Sequence, residues 1–98
     1  MSIKEAVVWF NQHYDESRKT GDTKNNFYCG ITCDLERRAN EHNASFICHT
    51  KCDTFDTAQE LEKQLHAQGY DTGDKVGNGQ ENSIYVYMYR KIKGVTIE

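Results

Sequence analysis

The sequence has no proline. It also has no internal repeat and no low-complexity tract, so nothing divides its 98 residues into separate units. That length suits one domain with one modest core. No stretch approaches the roughly 18 apolar residues of a membrane span. The first residues, with Lys4 and Glu5, lack the basic patch and apolar run of a signal peptide. The expectation is a cytoplasmic protein without membrane contact, whose cysteines Cys29, Cys33, Cys48 and Cys52 are reduced thiols. A basic excess is missing too. The net charge is −3, which argues against strong nonspecific binding to nucleic acid, because phosphate contacts come mostly from Lys and Arg. A local basic patch on an enzyme stays compatible with that balance.

What is present is periodic. Ser2 and Glu5 form a capping box, and Ile3, Ala6, Val7, Phe10 and Tyr14 follow at helical spacing, which predicts a helix ending near Ser17. Residues 18–26 are polar and read as a loop. Phe27 to Thr32 is aromatic and β-branched and reads as a strand. Thr32 or Asp34 can cap a helix from Leu35 to about Asn43. A strand is expected in the first half of Phe46 to Phe55. Thr57 and Glu60 form a second capping box, ahead of a helix with Ala58, Leu61 and Leu65 on one face and Gly69 as its stop. A Gly-, Asp- and Asn-rich loop to Asn82 precedes a strand from Ser83 to Ile92.

The two clearest strands alternate in the same way. Phe27, Cys29 and Ile31 oppose Tyr28, Gly30 and Thr32; Ile84, Val86 and Met88 oppose Tyr85, Tyr87 and Tyr89. Pairing them in one sheet turns the aliphatic faces toward the helices and leaves the tyrosines on a wetter face. The expected fold is α+β, a small antiparallel or mixed sheet of about three strands flanked by helices, in a single domain over residues 1–98.

Three residues attract a chemical reading. Arg38 and His42 are four apart and share a helix face. A guanidinium binds phosphate oxygens bidentately, and an imidazole moves protons. On their own, such residues on a small helix are more often simply solvated. Glu62 lies on or beside the apolar stripe of its helix, and a carboxylate there needs a partner, either an arginine such as Arg37 or Arg38 or a divalent cation. The cysteines, with His49, offer a zinc site as a rival, but no C-x₂-C knuckle is present and Cys29 falls on the aliphatic face.

The segment Tyr28-Cys29-Gly30-Ile31-Thr32-Cys33-Asp34-Leu35-Glu36-Arg37-Arg38, with His42 beyond it, resembles the second signature of the GIY-YIG nuclease family. The segment Phe55 to Leu65 resembles the helix that carries that family's metal-binding Glu. The first signature has its likeness in Ser83-Ile84-Tyr85-Val86-Tyr87 near the C-terminus, as in a circular permutation. The resemblance implies a metal-dependent endonuclease that hydrolyses nucleic-acid phosphodiesters, DNA first among them, with Mg²⁺ or Mn²⁺. It implies catalytic roles for Tyr28, Arg38, His42 and Tyr85, with Tyr85 beside Tyr28, and a metal-binding role for Glu62. Gly30, Arg37 and Asn78 or Asn82 would meet the substrate. The alternative is a catalytically silent domain of the same fold that binds protein or nucleic acid.

Overall fold

The computed structural model describes residues 1–73 and 82–97. The first helix, α1 (Ile3–Ser17), starts at the expected capping box. Ser2 Oγ accepts from the Glu5 N–H, and Glu5 Oε1 accepts from the Ser2 N–H, each at 3.1 Å. The expected stripe of Ala6, Val7, Phe10 and Tyr14 is buried. A short 3₁₀ turn at Lys24–Asn26, inside the segment read as a loop, then leads into β1 (Phe27–Thr32).

Asp34 caps α2 (Leu35–His42) by accepting from the Arg37 N–H at 3.0 Å. Thr32, the other cap candidate, holds Asp34 instead: its Oγ1 accepts from the Asp34 N–H at 3.0 Å. The helix stops at Asn43, whose φ of 48° is left-handed, a conformation asparagine tolerates better than most residues. After β2 (Cys48–Lys51) comes α3 (Phe55–Ala67).

The start of α3 corrects the sequence reading. Its N-cap is Thr54, whose Oγ1 accepts from the Thr57 N–H at 3.1 Å. Thr57 therefore lies inside the first turn, and Glu60 accepts from Gln64 Nε2 rather than capping. The earlier start adds Phe55 to the residues packed on the core, a gain that the Thr57–Glu60 box would forgo. Gly69, just past the end of α3, has a φ of 107° and serves as the expected stop.

The last strand, β3 (Tyr85–Arg90), lies in the centre of a fully antiparallel sheet of order β1-β3-β2. Its register against β1 sets Tyr28 opposite Tyr89, Gly30 opposite Tyr87 and Thr32 opposite Tyr85. The pairing expected from the matched alternation is present, and the fold is α+β. The outer edge of β1 is partly closed by Asp71: the Cys29 N–H donates to its carbonyl at 2.8 Å, and its N–H donates to the Phe27 carbonyl at 3.0 Å. Among the described residues, no helix is long and apolar enough to cross a membrane.

Helices α1 and α3 pack on the aliphatic face, where Phe10, Phe27, Cys29, Leu61, Leu65, Val86 and Met88 are almost completely buried. Each large apolar side chain there contributes about 1.5–3 kcal/mol by leaving water. The second face departs from expectation. Tyr87 and Tyr89 are 1% and 0% exposed, so the tyrosine face is a second packed layer, not a wet surface. His42 at the end of α2 and Phe46 in the following loop cover it. Alternation fixes which residues share a face, but a phenol is amphipathic and accepts either environment.

Candidate functional site

The tyrosine face is built on one close approach. A Cβ placed on Gly30 would meet the Tyr87 hydroxyl at 2.5 Å and Cζ at 2.7 Å, so the Tyr87 ring lies directly on the β1 backbone. Phe46 stacks on that ring at 4.3 Å. Tyr28 stacks on Tyr89 at 5.2 Å and lies 5.2 Å from the His42 ring.

His42 is the hub of this layer and is only 5% exposed. Its Nε2 is 2.9 Å from the Tyr87 hydroxyl. Its Nδ1 contacts the backbone carbonyl of Ile97 and lies 3.1 Å from the Tyr89 hydroxyl. Both ring nitrogens are thus engaged inside the protein. Burial pushes the Tyr87 phenol far above the usual tyrosine range. Tyr28 and, more weakly, Tyr89 and Glu62 push it the same way, while the Arg38 guanidinium pulls it back. Tyr87 is therefore a neutral hydroxyl at physiological pH.

The expected site residues fall into two groups. Tyr28 and His42, from β1 and α2, lie against Tyr87, whereas Arg38 of α2 and Glu62 of α3 bear on it only through their charge. Arg38 Nε lies 3.5 Å from Glu41 Oε1, in ion-pair range but poorly aligned, and makes no hydrogen bond. Glu62 is 4% exposed on the inner stripe of α3, so it is a buried carboxylate, not one at an exposed edge. Arg38 pairs with Glu41, and Arg37 Nη2 lies 3.7 Å from Cys33 Sγ.

The other residues stand apart. Tyr85 shares the face of Tyr28, but its β1 partner is Thr32, four positions further on. At about 3.4 Å per residue it stands roughly 14 Å away. The neighbour of Tyr28 is Tyr89, with Tyr87 next, so the expectation of Tyr85 beside Tyr28 is corrected. The space above Gly30 is filled by Tyr87. Arg37 and Asn82 are exposed, and Asn78 lies outside the described residues.

No family model, curated protein or solved structure matches this chain.

The donor set limits the metal that could bind. Among the described residues, no three or more His, Cys, Asp or Glu side chains gather into a metal cage. The cysteines are free thiols, with Cys29, Cys48 and Cys52 buried and Cys33 half-buried. A single buried carboxylate fits only a hard cation that keeps most of its own water and takes further oxygens from a substrate. Tyr87, Tyr89 and Phe46, which complete the layer, were not singled out by motif. Their signal in the sequence is the unbroken alternation through Tyr85, Tyr87 and Tyr89, which names three candidates to face Tyr28 and Gly30 without choosing among them.

Proposed function

We propose that this chain is a metal-dependent nuclease of GIY-YIG type that hydrolyses phosphodiester bonds in nucleic acid, with DNA the first substrate to test. One observation carries the reading. Tyr28 of β1 and His42 of α2 contact Tyr87, and the charges of Arg38 of α2 and Glu62 of α3 reach the same phenol. Scattered surface charges have no reason to converge in this way.

Arg38 binds the scissile phosphate through its planar fork and stabilises the charge that develops on it. Glu62 would hold Mg²⁺ or Mn²⁺, which when bound supplies Lewis-acid stabilisation of the phosphate oxygens. Tyr28, half-buried at the edge of the layer, positions the attacking water. His42 and Tyr87 hold the layer in place. Free thiols suit a reducing cytoplasm.

A second reading rests on His42, whose ring nitrogens both have partners within the fold. Such a layer serves equally in a silent domain that binds protein or nucleic acid. Cleavage assays separate the two. Wild type, Glu62→Gln and Arg38→Ala are incubated with single- and double-stranded DNA and RNA, with Mg²⁺ and then Mn²⁺, and thermal melts verify folding. The nuclease reading expects cleavage by wild type and a loss of at least about a hundredfold in each folded variant. Absence of cleavage on every substrate with either metal overturns it in favour of the binding module.

A further inference from the structure

The segment after β3 turns back to α2 and is fastened there by three hydrogen bonds. The Ile97 N–H donates to the His42 carbonyl at 2.6 Å, Asn43 Nδ2 donates to the Val95 carbonyl at 2.9 Å, and His42 Nδ1 contacts the Ile97 carbonyl. Its own turn is closed by Val95 and Thr96 N–H groups donating to the Ile92 carbonyl at 2.9 and 3.0 Å. Two of the three fastenings are to His42 itself, one through its backbone and one through its ring.

That ring contact has a fixed direction. A backbone carbonyl only accepts, so the short Nδ1 contact requires the proton to be on Nδ1. The neutral ring then has no proton on Nε2, which accepts from the Tyr87 hydroxyl at 2.9 Å. The Tyr89 hydroxyl, 3.1 Å from the same Nδ1, cannot donate to it and can only share its proton as a second acceptor. With its own proton committed to His42, Tyr87 turns lone pairs, not a hydrogen, toward its other surroundings, where the charge of Arg38 reaches it. An oxygen acceptor beside a guanidinium attracts it, whereas a hydroxyl hydrogen pointed at it would repel it.

We infer that the C-terminal segment is a positioning element for the site: the Ile97 carbonyl selects the Nδ1–H form of His42, and this sets the direction of the His42–Tyr87 hydrogen bond beside Arg38. Ile97 touches neither the phosphate nor the metal of the proposed reaction; it acts through His42. The consequence for catalysis rests on the nuclease reading, but the proton arrangement does not.

The test is the tautomeric state of His42, read from two-bond ¹⁵N–¹H correlations of the imidazole rings in the 98-residue chain at neutral pH. Wild type should show Nδ1 protonated and Nε2 bare, against the intrinsic preference of the histidine side chain for the Nε2–H form. Tyr87→Phe should leave Nδ1 protonated, because the carbonyl still selects it. The double variant Asn43→Ala with Ile97→Pro removes the Val95 fastening and the Ile97 N–H, and it should shift His42 toward the Nε2–H form. A wild-type ring with Nε2–H or with both nitrogens protonated overturns the inference, as does a double variant that keeps the wild-type pattern. The wild-type spectrum alone is decisive should the double variant fail to fold. If wild type also cleaves nucleic acid, the double variant should lose activity mainly in kcat. Absence of cleavage with the Nδ1–H form intact refutes the nuclease reading and leaves this inference standing.

Discussion

Gly30 and Tyr87 face each other across the β1–β3 ladder, and the tyrosine ring lies where a Gly30 side chain would be. Gly30→Ala should therefore destabilise the protein by about 1–3 kcal/mol, the usual cost of overpacking. For a domain of this size that lowers the melting temperature by roughly 4–8 °C per kcal/mol. Adding Tyr87→Leu should recover part of the loss, so a denaturant double-mutant cycle should give a clear coupling energy. Additive effects would mean that the ring does not cover Gly30.

Tyr87→Phe keeps the ring and removes the hydroxyl, which leaves buried His42 Nε2 without that partner. A stability loss of about 1–3 kcal/mol is expected. Tyr85→Phe, on the same face but half-exposed, should change stability by no more than about 0.5 kcal/mol. Urea unfolding of the two variants compares the two ends of the face directly.

Asp22 links the loop after α1 to the end of β3. It accepts from Arg90 Nε at 2.8 Å and Nη2 at 3.2 Å, and from the Lys19 N–H at 2.8 Å. The Arg90 hydrogen bond, followed by the Lys19 N–H, holds its carboxyl below the usual aspartate range. The unfolded group titrates near about 3.9. The resulting stabilisation is present above that value and is lost as pH falls through the lower folded value. Asp22→Asn should be less stable than wild type at pH 7, and the gap should narrow toward pH 3. Urea midpoints across that range measure it; a constant gap would mean that charge is not the cause.

The thiols should react unequally. Burial pushes Cys48 up to about 12 and raises Cys29 well above the usual thiol range, and Cys52 is also raised, chiefly by burial. Cys33 is half-exposed. A chromogenic disulfide reagent at pH 8 should label one thiol quickly in the native protein and all four after denaturation. Rapid labelling of a second thiol in the native state would show that β1 or β2 opens easily.

Much of this fold was legible before folding. The Ser2–Glu5 box, the Phe10 and Tyr14 stripe and the Gly69 stop are local signals, and each depends on a few neighbouring residues. The sharing of a face by Tyr28, Tyr85, Tyr87 and Tyr89 follows from period-two alternation. The start of α3 was not legible, because Thr54 and Thr57 both offer a cap and only the packing of Phe55 favours the earlier one. The tertiary structure alone decided that Tyr89 and not Tyr85 stands beside Tyr28, since strand register is a long-range property. It also decided that the tyrosine face is dry, because α2, Phe46 and the C-terminal segment come together over it, and that Glu62 is buried on the inner stripe of α3. A sequence dictates which side chains point the same way; what covers them depends on contacts between segments that only the folded chain brings together.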